Sequence, residues 1–583
     1  MNKITNRALL FVCTSILAIS TAQGAAKNSS RVLQYVPADT PYVIASTKPL
    51  PTALADKLEP TIDKMLQVYQ QILRYSLESE FAELPEEDRN GEDFKKFQGV
   101  ADEIIGLMSL EGLRAAGIER DSAFVLYGNG ITPVMRLELS DPDLFDAAIA
   151  RIEEQADTHL SEAEADGNAY KFVDMDGVNL IIATLDEQAV ITVVPSSFDE
   201  SQVALALGID KPAKSLRKSK ALAAVGKEYG FAATLTGFVD SRRIAEILTG
   251  DIEGLDADIF DTLGEDRPQM SAVCKSEIME MVGIAPRIVF GYTELSTETI
   301  DSSFIVELRE DIAAGLTAIP ADVPGLGADP GGLISFGMGI DLMEVRSFFK
   351  ARLDAMQADP YECEKFAELQ AGVARGQEML NQPIPPMVYS FRGFVANIVD
   401  MEGLDFSKSQ PPESIDASVL IAIENADALL MMASMLDPQI AALNLQSDGK
   451  PVKLELEALA SIAEAAYAAM SSNALAIATG NGAESKSADM LLAESLDPLP
   501  FMATNLDAER YYEMIGDAMA RSSESAAVNE VSDDAPVEEM PPVIRDAIRE
   551  VMRLSASIYD RFAGEVYFTE RGIEISASGT LND

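Results

Sequence analysis

Two rhythms of apolar residues alternate along this chain. Short runs read as strands, and stretches with apolar positions three or four apart read as helices. The first run is 42–46. It follows the turn Val36-Pro-Ala-Asp-Thr-Pro41 and leads into a helical pattern over 52–77, with Leu54, Leu58, Ile62 and Leu66 four apart. Pro60 inside that pattern predicts a kink or a split, because proline has no amide hydrogen for the helix ladder. Residues 83–96 are acidic and rich in breakers, so they read as a loop, and helical spacing resumes over 97–113. Residues 122–126 and 134–139 flank Gly128-Asn-Gly130, a hairpin signal. Asp141-Pro-Asp143 starts a helix over 144–156. A meander follows over 170–173, 178–184 and 189–194, and then an apolar run at 231–235. Residues 287–293 and 303–308 read as two more strands.

Residues 310–332 are rich in Ala, Gly, Pro and Asp and read as a linker. Beyond them the pattern recurs. Strands are predicted at 333–336, 388–391, 417–423, 452–456, 465–470, 474–478 and 501–504, with a closing hairpin of 565–569 and 573–578 about Arg571-Gly572. A strand followed by an aspartate, with an apolar residue four further on, occurs at Asp240/Ile244, Asp341/Val345 and Asp507/Tyr511. Such an aspartate suits a helix N-cap, where its carboxylate accepts the unpaired amides of the first turn. An Asp-containing turn after a strand occurs at Asp143 and again at Asp427.

This order predicts an α+β protein of two tandem, duplicated modules, each an antiparallel sheet with helices packed on one face. The modules are expected over 25–315 and 316–583. Residues 520–541 are acidic and Pro-containing, and they are expected to form a flexible insert in the second.

The N-terminus changes the setting. Lys3 and Arg7 precede a short apolar run over 8–19, and Ala22-Gln-Gly24 before Ala25 offers small residues for cleavage. Residues 1–24 therefore read as a signal peptide, with a periplasmic or secreted destination. Cleavage removes Cys13 and leaves Cys274 and Cys363. Two cysteines in an oxidising compartment predict a disulfide, and a loop of about ninety residues corresponds to on the order of 4 kcal/mol in the chain-entropy model. No later stretch reads as a membrane helix.

Charge excludes some partners. The chain carries 45 Lys+Arg against 95 Asp+Glu, a net −50. Such a field repels nucleic acid and anionic lipid head groups. A solvated acidic surface accounts for it, with cation binding as the sharper reading.

Candidate chemistry is sparse. The single histidine, His159, sits in an acidic stretch without a nucleophile elbow, so it reads as a surface residue. Gly480-Asn-Gly-Ala-Glu-Ser-Lys-Ser487 resembles a phosphate loop, but Ser485 stands where that loop needs its second glycine. Gly337-Met-Gly-Ile-Asp341 lacks the third glycine of a dinucleotide fingerprint. Glu162, Glu164 and Asp166-Gly167 imitate half a calcium loop, with Val173 where its glutamate belongs. Asp174-Met-Asp176 offers a looser cation site and reads first as a hairpin turn. The absence of tryptophan argues against a carbohydrate-stacking platform. The 24 methionines read as core filling, with an adaptable apolar groove as the alternative. No catalytic residue, metal ligand or cofactor is expected.

The Val36-Pro-Ala-Asp-Thr-Pro41 opening, the strand after it and Phe290-Gly-Tyr-Thr-Glu-Leu295 resemble a domain-of-unknown-function group of exported Gram-negative proteins. That resemblance implies a periplasmic or surface location and carries no catalytic residue. The expected function is a non-catalytic binding or interaction protein of the envelope, its protein, peptide or lipid partner unspecified. The alternatives are a carboxylate-dependent hydrolase of envelope material and a cation-dependent surface or adhesion protein.

Overall fold

The computed structural model describes residues 31–82, 92–157, 160–175, 177–250, 254–262, 270–404, 412–436, 438–454, 465–528 and 541–583. The predicted signal peptide and His159 lie outside these residues, as do Asp176 and most of the 520–541 insert. The fold is α+β, and every strand pairing with a described register is antiparallel. The chain divides into two compact units. The first runs to Phe304 and includes Pro542–Val551; the second comprises Ile305–Pro541 and Met552–Asp583.

In the first unit the strands are β1 (Tyr42–Ser46), β2 (Phe124–Asn129), β3 (Thr132–Glu138), β4 (Ser161–Ala165), β5 (Asn168–Asp174), β6 (Val178–Leu185), β7 (Gln188–Pro195), β8 (Thr236–Asp240) and β9 (Arg287–Leu295). They lie in the order β9-β8-β1-β2-β3-β7-β6-β5-β4. The strand β10 (Thr299–Glu307) crosses the division between the units. In the second unit the strands are β11 (Ile334–Gly339), β12 (Phe391–Glu402), β13 (Ser414–Ile423), β14 (Val452–Lys453), β15 (Ala466–Met470), β16 (Ala474–Thr479), β17 (Met502–Asp507), β18 (Tyr559–Thr569) and β19 (Gly572–Leu581). Their order is β19-β18-β17-β11-β12-β13-β16-β15-β14. Counted from β1 and from β11, the two orders run in parallel. Each has a central first strand, a hairpin on one side of it followed by strands that fold back, and later strands on the other side, β8 and β9 in the first unit and β17, β18 and β19 in the second.

Strand alternation decides what each face carries. In the first unit Phe124, Met135, Leu137, Ala189 and Ile191 point to one face. They share a core with Val100 and Ile104 of the helix Glu92–Leu107 and with Phe145, Ile149 and Ile152 of the helix Pro142–Ala156. The other face carries Tyr127, Arg136 and Gln188, and it is met by the segment at Val32–Val36 and the short helix Glu200–Leu207. A core of the second unit gathers Val323, Leu326, Val395, Leu420, Ala422, Ala474 and Ala503.

The three predicted caps form. Asp240 accepts from Arg243 N at 2.9 Å, Asp341 from Met343 N at 2.8 Å and Asp507 from Arg510 N at 3.0 Å. The turns at Asp143 and Asp427 also start helices, but the capping side chains stand two residues earlier, at Asp141 and Asn425.

Four expectations are corrected. Residues 310–332 are no open linker: they contain the helix Glu310–Leu316, and Val323 and Leu326 are core residues. The helix Thr52–Ala82 is not split at Pro60. The helix Glu92–Leu107 begins inside the stretch read as a loop. The run at 231–235 is irregular, and the strand is β8, five residues later. Gly237 hides that strand from a propensity reading. It is required there, because a Cβ would lie 2.8 Å from Val43 O and overlap the Phe290 ring.

Candidate functional site

An arginine under the sheet organises the first unit's main cleft. Arg136 of β3 is fully buried. Its Nη2 donates to the carbonyls of Leu207, at 2.6 Å, and Gly208, at 2.9 Å, and its Nη1 to Gln188 Oε1 at 3.1 Å. The Tyr35 ring lies 3.7 Å from its Cζ. Helix Glu200–Leu207 delivers the two carbonyls. It opens with a capping box between Asp199 and Gln202 and ends at Gly208 in the left-handed region, φ 59°. A Cβ at Gly208 would stand 3.3 Å from Tyr127 Oη and 3.4 Å from Arg136 Nη2, so glycine lets the helix end close over the guanidinium.

The positive charge is balanced at one remove. Tyr35 donates its hydroxyl to Asp186, which sits with Glu187 in a left-handed turn between β6 and β7. Lys211 Nζ lies 3.5 Å from Asp186 and 5.0 Å from the Tyr35 ring centroid. The Tyr35 hydrogen bond, with smaller help from Lys211 and the Arg136 charge, holds the Asp186 carboxyl below its ordinary range against the opposing effect of burial. Burial, with Asp186 beside it, pushes the Tyr35 phenol up to about 12. Arg136 and Lys211 are therefore both engaged by the protein's own groups.

A cleft of about 890 Å³ opens beside this array. Pro37, Leu205 and Ile209 make part of its lining apolar. Asp166, Asp199, Glu200 and Asp210 bring four carboxylates, against Lys211 as the cation. Asp199 and Glu200 already accept backbone amides, Asp199 that of Gln202 at 3.0 Å and Glu200 that of Asp166 at 3.2 Å. A second cavity of about 190 Å³ lies by the helix Thr52–Ala82, where Glu59 is held by Arg114 and Arg120. The hydrogen bond from Arg114 is the main cause of the lowered Glu59 pKa.

The residues singled out from sequence have structural roles here. Cys274 and Cys363 are both buried and disulfide-bonded. Lys486 of the near-miss phosphate loop is bonded to Asp416, and Ser487 donates to Glu484 O at 2.9 Å. Gly337 lies in β11, where a Cβ would come 2.5 Å from Phe394 O. Glu162 and Glu164 belong to β4, and Asp166-Gly167 is the left-handed turn into β5. Asp174 accepts from Gly177 N at 3.2 Å, as a hairpin turn does. Sequence reasoning missed Tyr35, Arg136 and Lys211. Arg136 stands in the polar row of an alternating strand, Val134-Met-Arg-Leu-Glu138, which reads as a solvent face.

No protein-family model, curated protein or solved structure matches this chain. No helix among the described residues is long and apolar enough to cross a membrane.

Burial also pushes the Tyr42 phenol up to about 12, helped by the charge of Asp256. Tyrosines normally titrate near 10. A group whose folded pKa is raised contributes its stability fully below the unfolded pKa and loses it as pH climbs through the folded one. We predict stability that falls between pH 10 and about 12 as Tyr35 and Tyr42 ionise. Ultraviolet difference titration should find late-ionising tyrosines in the folded chain and none in denaturant. Ionisation of every tyrosine near 10 in the folded chain would refute the prediction.

Proposed function

We propose that this chain is an exported, non-catalytic binding protein of the bacterial envelope, built by duplication of one α+β module. The parallel strand orders of the two units support the duplication. So does a repeated turn: Ile319-Pro-Ala-Asp-Val-Pro324 matches Val36-Pro-Ala-Asp-Thr-Pro41 at Pro, Ala, Asp and Pro. The signal-like N-terminus and the buried disulfide support export and membership of the exported Gram-negative group that the opening resembles.

The cleft beside Tyr35 carries the binding reading. Its apolar lining, four carboxylates and single engaged lysine suit a ligand with a positive head and an apolar body. Binding is favoured over hydrolysis because Asp256, a carboxyl raised by burial, lies outside the cleft and accepts from Ile131 N at 2.8 Å as a turn support.

Titration calorimetry of the mature chain tests this with octylamine and octanoate, which share an apolar tail and differ in head charge. Octylamine should bind and octanoate should not. Asp199→Asn together with Glu200→Gln should weaken octylamine about five- to tenfold, since Asn keeps the helix cap while a charge is lost. Equal binding of octanoate, or no effect of the double variant, would sink the reading.

A further inference from the structure

One helix of the second unit has the composition of a core helix and almost none of its burial. Ala426–Leu436 reads Ala-Asp-Ala-Leu-Leu-Met-Met-Ala-Ser-Met-Leu, with Asp427 and Ser434 its polar side chains. Among its described side chains only Ala426 is buried. Met431 is 63% exposed and Met435 78%, one helical turn apart on one face, with Met432 beside them at 39%. A helix apolar on nearly every side is ordinarily a covered one.

The first unit indicates the shape of the missing cover. Its helix Pro142–Ala156 also follows a hairpin, β2–β3, as Ala426–Leu436 follows β12–β13. There the helix Glu92–Leu107 packs against it, close enough that a Cβ on Gly99 would sit 3.1 Å from Gln155 Cβ. In the second unit the helix at the matching place in the order is Ala367–Asn381. It packs instead on Leu342–Ala358, with Gly376 against Leu353 and Gln377 Nε2 donating to Gln357 Oε1 at 2.8 Å. Among the described residues, none takes the place of Glu92–Leu107.

Charge selects the occupant. Asp427 is the only charged residue of the exposed helix, and Glu424 precedes it. The whole chain carries −50, so a second copy or an anionic bilayer would meet repulsion. Residues 455–464 of this chain have apolar positions at Leu456, Leu459 and Ile462 but add Glu455, Glu457 and Glu464. We propose that the exposed face of Ala426–Leu436 is a docking surface for a basic amphipathic helix of another protein. The unbranched, polarizable methionines suit such a surface, because they adapt to the side chains they meet. This inference is independent of the cleft in the first unit.

The test uses the full mature chain and a labelled peptide of Leu and Lys patterned as an amphipathic helix. Fluorescence anisotropy should show binding to the wild type and about tenfold or greater weakening in Met431→Ser/Met435→Ser. Both sites are exposed, so the variant keeps its fold, which circular dichroism verifies. Met379→Ser, at a 70% exposed methionine on another helix, should bind as wild type, as should Asp199→Asn/Glu200→Gln. Equal binding by a Leu/Glu peptide of the same pattern, or undiminished affinity in the double methionine variant, would overturn the proposal. So would sedimentation showing a dimer that the double variant dissolves, which assigns the face to a second copy. Slower peroxide oxidation of Met431 and Met435 than of Met379 in the free protein would also overturn it, by assigning the cover to the chain's own residues 455–464.

Discussion

Arg136→Ala is expected to destabilise the first unit by about 3–5 kcal/mol, from the void left by a large buried side chain and the acceptors left without a donor. Arg136 is fully buried and donates to Leu207 O, Gly208 O and Gln188 Oε1. Truncation leaves three acceptors without that donor and a void beneath the Tyr35 ring. It also removes one of the positive charges that keep the Asp186 carboxyl ionised. Arg136→Met fills most of the void and removes the cost of burying a charge, so its loss should be smaller, about 1–3 kcal/mol from the unpaired acceptors. Urea denaturation of both variants checks the order. An Ala variant within 1 kcal/mol of wild type, or a Met variant worse than Ala, would show that the guanidinium does not hold this region together. Arg136→Lys should fail as well, because an ammonium lacks the planar fork that reaches two carbonyls and an amide together.

Gly393→Ala should cost about 3 kcal/mol or more in the second unit. Gly393 lies in β12 between β11 and β13, opposite Gly339 and Ala422. Its φ is +141°, outside the range of L side chains, and it sits at a register shift after Phe391. A Cβ would overlap the carbonyl oxygen of Met338 and lie 2.7 Å from Val323 Cγ2 and 3.0 Å from Gly339 Cα. Backbone on one side and a core valine on the other leave no direction for relief. Gly372→Ala is the control. That glycine is in the helix Ala367–Asn381 with nothing within 4 Å of its added Cβ, so the change should be neutral or stabilising by up to about 1 kcal/mol. If the two substitutions shift the denaturation midpoint alike, the steric account of Gly393 is wrong.

These two residues also mark the limit of what the sequence discloses. The strand-to-helix caps were legible because a single carboxylate does a local job, and Asp240, Asp341 and Asp507 all do it. The β2–β3 hairpin was legible because turn glycines act locally, although the turn is Gly130-Ile131 and Gly128 and Asn129 belong to β2. Gly237 and Gly393 were not, because their need comes from atoms far along the chain: Val43 and Phe290 for one, Met338 and Val323 for the other. Arg136 was not, because a strand buried on both faces looks, residue by residue, like one with a wet side. Residues 310–332 misled by composition. Their Ala, Gly and Pro content suggests a linker, yet the repeated Pro-Ala-Asp at 320–322 was the stronger signal, lying within the very stretch read as punctuation.

Asp199 has a double duty with a thermodynamic consequence. Its carboxylate lines the cleft, and it also caps the helix whose far end holds Arg136. A cation that draws this carboxylate away from Gln202 N competes with helix formation, so part of the binding energy goes into fraying Glu200–Leu207. The octylamine titration then has a second readout: amide hydrogen exchange at Gln202 and Val203 should quicken as the cleft fills. Ligand occupancy and the ordering of the arginine's cage are two sides of one coupled equilibrium, linked through a helix of eight residues.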